Sequence, residues 1–479
     1  MTAPAPAPSA AVHPTRVLFV LLLAGVSFAL SQTLVIPALP EIGATLHARA
    51  SATSWLLTAF LLSASIATPI VGKLGDLHGK GRVLTAVLLV FAVGAIVCAL
   101  GRTIEVVIAG RVLQGVAGGV FPLAFGIVRD TFPRDRIPAG LGMVSAIFGI
   151  GGGIGLPLSG VIVDNLDTRW LFWINLIALP AALAAYLLIP PLPAGRRPRI
   201  DWPGAAVLSL ALAAILLGVS EADDWGWGSP ANVGLILGGL VLTGVFLRIE
   251  ARTDEPLIDL AVLRRPAVAT TNLTAFMVGV AMFASFLLIP RFAQAPDLTG
   301  YGFGASVTVA GLLLLPAAIA QLLTGALAGV LGTRIGFRAV LATGAGLTSA
   351  SFVVLAAAHE REVEILAAGA LLGAGISFAF AAMANLIVGA VPQSEVGIAT
   401  GINTVMRTIG GSFGAAIATA ILAASSGAGG LPTEGAYTAA FAFSAVAGLA
   451  AVGAALLVPR APAARVPSEA RTSPVTESP

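Results

Sequence analysis

Long apolar runs separated by short polar stretches dominate the chain. Fourteen such runs cover residues 17–38, 54–72, 83–101, 104–126, 139–163, 170–190, 203–219, 232–249, 267–290, 305–329, 339–358, 363–390, 398–424 and 436–458. Each is near the roughly 20 residues that a helix needs to cross a bilayer. The pattern predicts an all-α membrane protein with fourteen transmembrane helices. An even number places both termini on one side.

Composition strengthens this reading. Of 479 residues, 57% are hydrophobic and only 10% are charged, against about 25% charged in soluble domains. So few charges cannot cover a soluble protein of this size, so the remaining surface must face lipid. A net charge of +3 gives no footprint for nucleic acid. Cys98 is the only cysteine, which excludes an internal disulfide and a cysteine-rich metal site.

Basic residues set the orientation, because Lys and Arg collect on the cytoplasmic side. With the N-terminus in the cytoplasm, 19 of the 26 Lys and Arg fall in cytoplasmic segments, 5 in external ones, and Arg111 and Arg407 within spans. The cytoplasmic clusters are Lys73/Lys80/Arg82, Arg129/Arg134/Arg136, Arg196/Arg197/Arg199 and Arg264/Arg265. The expected location is the inner cell membrane, multi-pass, with both termini cytoplasmic.

The two halves repeat. Gly72–Gly79 reappears as Gly329–Gly336, 257 residues on. Pro133, Gly142, Gly151 and Gly155 of span 5 match Pro392, Gly401, Gly410 and Gly414 of span 13, at an offset of 259. These offsets predict a six-helix bundle over 17–190 and a second over 267–458. Two additional helices and their linkers lie between, over 191–266. Residues 1–16 and 459–479 are expected to be disordered cytoplasmic tails. Parallel six-helix repeats are a transporter architecture that binds substrate at the repeat interface.

Several short motifs carry candidate chemistry. Gly72-Lys-Leu-Gly-Asp76-Leu-His-Gly79-Lys80-Gly-Arg82 joins spans 2 and 3. Asp76 sits there among cations and is suited to a helix N-terminus. Arg111 lies about seven residues into span 4, roughly 10 Å deep at 1.5 Å per residue. An ionisable group at that depth is a functional candidate. Span 5 carries Gly151, Gly155, Pro157 and Gly160, small residues that let helices approach closely.

The first of these motifs resembles the signature of the major facilitator superfamily, Gly-x-Leu-x-Asp-Arg-x-Gly-x-Arg. Gly72, Leu74, Asp76 and Gly79 match it, and Leu77 replaces the usual Arg. The resemblance implies a cytoplasmic latch made by Gly72, Asp76, Gly79, Lys80 and Arg82. The second copy carries Thr333 in place of Asp76, which implies a weaker latch. Arg111-x-x-Gln114-Gly115 resembles the family's element associated with proton coupling. Span 5 resembles the motif of its antiporter, mostly exporter, branch. Arg169-Trp-Leu-Phe-Trp-Ile-Asn175 and Asn403-Thr-Val-Met-Arg407 resemble the fourteen-span drug:proton antiporter branch. The implied fold is two six-helix bundles plus two additional helices, alternating access around a central cavity.

One departure stands out. Cation-exporting relatives often carry an acid in span 1, in a Leu-Asp-x-Thr pattern; here it is Leu30-Ser31-Gln32-Thr33. The 23 carboxylates fall in loops, tails or span ends. Coupling candidates are therefore Arg111 with Asp76, Asp130, Asp164 and Glu105. Arg111 and Arg407, with no evident acid partner, predict an interior that favours neutral or anionic substrates. Candidate substrate-binding residues are Gln32, Gln114, Phe121, Phe276, Met277, Phe283, Asn403 and Arg407.

No enzyme signal survives inspection. Gly410-Gly-Ser412-Phe-Gly414 matches a hydrolase elbow, but it lies inside an apolar run rather than at a strand-to-helix turn. The four histidines lack metal-ligand spacing, and no phosphate-binding loop of the nucleotide-hydrolase type occurs. The expected partners are a small-molecule substrate, protons and the lipid bilayer, with no cofactor, no metal and a monomeric state. The leading reading is proton-coupled export of a hydrophobic small molecule. An uptake carrier and a non-transporting sensor or scaffold are the alternatives.

Overall fold

A computed structural model describes residues 13–190, 201–253, 256–296, 299–425 and 431–459. Residues 1–12 and 460–479 of the expected tails and the Arg196/Arg197/Arg199 cluster lie outside the described residues, whereas Pro14–Arg16, expected to be disordered, open the first helix because proline suits a helix's first turn. The described chain forms fourteen long helices. They are α1 (Pro14–Thr33), α2 (Ala50–His78), α3 (Lys80–Leu100), α4 (Ile104–Thr131), α5 (Ile137–Asn165), α6 (Trp170–Leu188) and α7 (Trp202–Ser220). They continue as α8 (Pro230–Glu250), α9 (Pro266–Gln294), α10 (Thr308–Ile335), α11 (Phe337–Ala357), α12 (Glu362–Ala390), α13 (Val396–Ala424) and α14 (Glu434–Leu456). Over described residues, 13 of these are long and apolar enough to cross a membrane; α5, helical over 29 residues, is the other.

The helices overrun the apolar runs. Helices α2, α5, α9, α12 and α13 each have 29 residues, about 43 Å at 1.5 Å per residue, against a hydrocarbon core of about 30 Å. The ends of α2, α5, α9 and α12 therefore carry charge while remaining helical. The segment Gly72–Arg82, expected to be a connecting loop, is mostly helix: α2 runs to His78 and α3 starts at Lys80. The whole turn is Gly79, at φ 93°, a conformation that glycine alone adopts freely. Its repeat mate Gly336 makes the same turn at φ 88°.

Elsewhere the helices are interrupted. Helix α1 stops at Thr33, not at residue 38, and a short helix Leu39–Thr45 follows. Helix α4 tightens to a 3₁₀ turn at Val116–Gly119, and α6 does so at Ile174–Ile177. Helix α10 is broken between Leu312 and Leu315, ahead of Pro316, whose missing N–H and ring bulk disfavour an uninterrupted helix.

Packing follows the repeat. In the first half α1 packs on α5, α2 on α4, and α3 on α4 and α6. In the second half α9 packs on α13, α10 on α12, and α11 on α12 and α14. Glycines mark equivalent points. A Cβ on Gly151 or Gly155 would strike Ala29 or Thr33 of α1, and one on Gly410 or Gly414 would strike Phe276 or Val280 of α9.

The halves join by the same logic. Gly142 abuts Gly325 across the α5–α10 seam, while its mate Gly401 abuts Thr68 and Pro69 across the α2–α13 seam. Gly329 meets Pro138, and its mate Gly72 meets Gly397. Helices α7 and α8 pack on each other, and α7 leans on both α2 and α13. They are central in sequence but lie outside the α2–α13 seam, and only 17% of the most apolar window of α8 is buried.

Valine at Gly151 or at Gly410 is expected to lower stability by similar amounts, about 1–3 kcal/mol each, through overpacking. Gly244→Val on α8, where a side chain meets nothing within 4 Å, is expected to be neutral. Thermal unfolding of the purified protein in detergent checks all three; unequal losses at the two mates would contradict the repeat equivalence.

Candidate functional site

One end of the helix array carries Lys73, Lys80, Arg129 and Arg265, and is called the basic face. There the two halves are tied by charge. Lys80 Nζ lies 3.2 Å from Asp76 Oδ1 and 2.9 Å from Asp130 Oδ2, with all three side chains buried. Asp76 is aimed at the first turn of α13, facing the Ile398 amide, with Gly397 pressed against it. Its oxygens lack an aligned hydrogen bond. The hold is therefore electrostatic, from Lys80 and from the positive end of α13. Asp130 Oδ1 also accepts from Gln393 Nε2 at 2.6 Å, and Arg129 Nη1 donates to Val391 O at 3.0 Å. Arg265 donates to Ala390 O.

The equivalent seam has no such charges: Thr333 and Phe337 stand where Asp76 and Lys80 do, and Thr333 is exposed. Of the other latch residues, Gly72 and Gly79 provide the close contact and the turn. Arg82 is exposed on the far side of α3, beside Thr85 and Tyr186.

Arg111 is fully buried and is held by neutral groups through Nε and Nη1, while Nη2 has no hydrogen-bond partner among the described residues. Its Nε donates to Leu56 O at 3.0 Å, and Nη1 donates to Ser31 O at 3.1 Å, Ser31 Oγ at 2.9 Å and Gln114 Oε1 at 2.8 Å. Its guanidinium carbon lies 4.1 Å from the centre of the Phe60 ring, a favourable cation–π placement. Ser31, the residue at the missing-acid position, is thus a direct partner of Arg111. The cage ties α1, α2 and α4 together.

A central cavity of about 40 Å³ lies between the halves. It has room for about three waters. Its walls include Phe28, Gln32 and Thr33 of α1, Ser65 and Thr68 of α2, Met282, Phe283 and Phe286 of α9, Gln321 of α10, and Thr404, Arg407 and Thr408 of α13. Arg407 also lines a smaller void toward the basic face with Asn403, Thr400 and Phe380, its guanidinium carbon 4.3 Å from the centre of the Phe380 ring. It stands between the two spaces. Gln321 Nε2 has no hydrogen-bond partner among the described residues.

The structure brings some sequence candidates together and scatters others. Gln32, Phe283 and Arg407 share the central cavity. Asn403 lines the smaller void and donates to Asn272 Oδ1 at 3.0 Å. Gln114 belongs to the Arg111 cage, and Phe121 packs edge-on against Phe28 at 6.0 Å between ring centres. Phe276 packs beside Phe413 at 6.0 Å, and Met277 packs into the core of the second half. Glu105 is exposed in the first turn of α4.

Asp164 is exposed at the end opposite the basic face and accepts from Thr308 Oγ1 at 3.1 Å across the α5–α10 seam. Pro157 and Gly160 face α10 at Gly311 and Thr308, whereas Gly151 and Gly155 face α1. Sequence reasoning missed Ser65, Thr68, Gln321, Thr404 and Thr408 in the cavity wall and Gln393 at the basic face. Small hydroxyl residues in apolar helices carry no signal that separates a cavity wall from helix packing.

This is an all-α membrane protein whose two related helix bundles enclose a central cavity. It belongs to the major facilitator superfamily, whose model matches residues 21–302 and 271–478. That is a family of transporters, not of enzymes. An uncharacterized MFS-type transporter of Mycobacterium tuberculosis is 33% identical over 431 residues, 87% of this chain and 62% of that protein. The chain thus spans less than two thirds of that relative's length. The multidrug transporter protein MdtP of Bacillus subtilis is 28% identical over 407 residues, 83% of this chain and 73% of that protein. The crystal structure of the human organic anion transporter MFSD10 shares the fold, with a TM-score of 0.65 at 16% identity, covering 92% of this chain and 99% of that one.

Lys80→Met would leave Asp76 and Asp130 without their cation, a change that costs several kcal/mol in buried pairs. Labelling of Thr404→Cys by a membrane-impermeant thiol reagent, in a Cys98→Ser background, is expected to rise about tenfold or more in that variant; an unchanged rate would mean the triad does not close the basic face. Ser31→Ala removes a hydrogen bond to a charged group and is expected to cost about 1.5–3 kcal/mol. Ser31→Asp, which supplies an ionic partner, is expected to be better tolerated. Equal thermal stability of wild type and Ser31→Ala would show that the hydroxyl contributes nothing.

Proposed function

We propose that this chain is a secondary active exporter of hydrophobic small molecules that are neutral or anionic, driven by proton entry through alternating access. The observation that carries the substrate class is the cavity wall. It combines aromatic and Met surface with neutral polar groups, and Arg407 is the ionisable side chain among its described lining residues. A lipophilic cation entering there meets like charge and no carboxylate. An anion or a carbonyl-rich neutral compound meets a donor, together with the unpartnered amide of Gln321. Met and aromatic walls adapt to varied shapes.

Export is supported by the resemblance of the α5 glycines to the exporter-type motif and by the kinship with a protein named as a multidrug transporter. The Lys and Arg distribution makes the basic face cytoplasmic. The conformation would then be closed on the cytoplasmic side, with the Asp76–Lys80–Asp130 triad as the bolt.

Inverted membrane vesicles with an imposed inward-acid gradient test the reading. Matched anionic, neutral and cationic amphipathic compounds are added in turn, and internal pH is followed. Anionic and neutral compounds are expected to trigger proton efflux. Arg407→Ala is expected to weaken apparent affinity for the anionic compound by about tenfold or more, the loss of a charge-assisted contact, while sparing the neutral one. Tighter handling of the cation than of its neutral analogue would overturn the substrate class. Substrate accumulation without proton movement would overturn the coupling.

A further inference from the structure

Two carboxylates not singled out from the sequence meet at the basic-face end of the α7–α8 pair. Asp201 caps α7, its Oδ1 accepting from the Gly204 amide at 3.0 Å. Glu250 ends α8, is only 3% exposed, and accepts from the Ile258 amide through Oε2 at 3.1 Å. Their remaining oxygens, Asp201 Oδ2 and Glu250 Oε1, are buried with no hydrogen-bond partner among the described residues. Both crowd one point beside Gly204, where an added Cβ would strike the Asp201 oxygen and come within 2.7 Å of the Glu250 oxygen. Only glycine at that position permits the approach.

Two ionised carboxylates whose buried oxygens converge on one point repel each other, and each unpartnered buried oxygen carries a desolvation cost. One proton removes both defects. It discharges one carboxylate and supplies an O–H donor to the orphan oxygen of the other. Two free oxygens are too few for a hard metal cation such as Ca²⁺, which takes six to eight.

Among the described residues, the surrounding charges do not substitute for the proton. Lys73 of α2 is in electrostatic reach of Glu250, but its Nζ donates to Pro256 O at 3.1 Å and it serves Glu395 as well. Glu395, before α13, and Asp259, in the α8–α9 connection, add negative charge. Arg248 on α8 and Arg252 just beyond it are exposed, and Arg265 is engaged with Ala390 O. Arg196, Arg197 and Arg199 lie outside the described residues.

We infer that Asp201 and Glu250 share one proton and form a proton-binding site that fastens the ends of α7 and α8. The site also holds the following connection. Glu250 anchors the Ile258 amide, Pro256 O is held by Lys73 of α2, and Leu257 and Ile258 pack with Ile398 of α13. Ile398 is the residue whose amide faces Asp76. The proton therefore steadies the additional helices against the same turn that the latch grips. This inference does not rest on the export reading, and its test needs no substrate.

Infrared difference spectra between acidic and alkaline pH, recorded on the full chain in lipid nanodiscs, read the protonated carboxylic acid directly. The wild type is expected to lose one carboxylic-acid C=O band on alkalinisation, and that band is expected to be absent from both Asp201→Asn and Glu250→Gln. A band retained in both variants would overturn the proposal. So would a band displaced when sodium replaces a large organic cation, which would mean a metal ion occupies the site.

Glu250→Gln is nearly isosteric, and its amide N–H replaces the shared O–H, so it should fold. A second readout is thermal stability. A proton that only the folded state binds contributes stability that is present at low pH and lost as pH rises through the window in which the folded state releases it. Wild-type stability is expected to fall across that window relative to Glu250→Gln; parallel curves would overturn the proposal.

Discussion

Backbone-to-backbone contact at glycine is the constraint on which this molecule depends. Lipid tails are as apolar as leucine, so no hydrophobic force drives helix to helix within the bilayer. Close packing must supply the attraction, and a side chain in the seam would prevent it. Gly72 on Gly397, Gly142 on Gly325 and Gly329 on Pro138 bring the two halves together, while Gly151, Gly155, Gly410 and Gly414 set the first and fifth helices of each half. The contacts come in repeat-related pairs, so one packing solution is used twice.

On that symmetric frame, charge is asymmetric. Beside the α2–α13 seam Lys80 holds Asp76 and Asp130, and the halves are tied by Asp76 facing the Ile398 amide, Gln393 donating to Asp130 and Arg129 donating to Val391 O, while the α5–α10 seam has Thr333 and Phe337 at the matching places. A glycine-packed seam that also relies on charged groups is weakened when a charge is removed or moved. A seam held by glycine packing from Pro138 to Gly160 opens only by separating two helices along most of their length. The structure thus distinguishes a seam tied by charge at one end from a seam packed on small residues.

The fold treats the two buried arginines differently. Arg111 has neutral acceptors from two other helices and an aromatic face. Arg407 faces the cavity and the void below it. The two arginines look alike in sequence, each a lone cation in an apolar helix, and tertiary packing gives them different work.

The helix count and the repeat were legible in the sequence, because bilayer thickness and glycine packing each impose a local, periodic demand. The Asp76 motif was legible for the same reason: its turn needs glycine and its acid needs a cation four residues on. Helix ends were not legible, since charged residues past the hydrocarbon layer continue the helix. The partners of Arg111, the membership of the cavity wall and the meeting of Asp201 with Glu250 were decided only by the fold. Each joins residues on different helices, and which face of a uniformly apolar helix turns inward leaves no trace in its pattern.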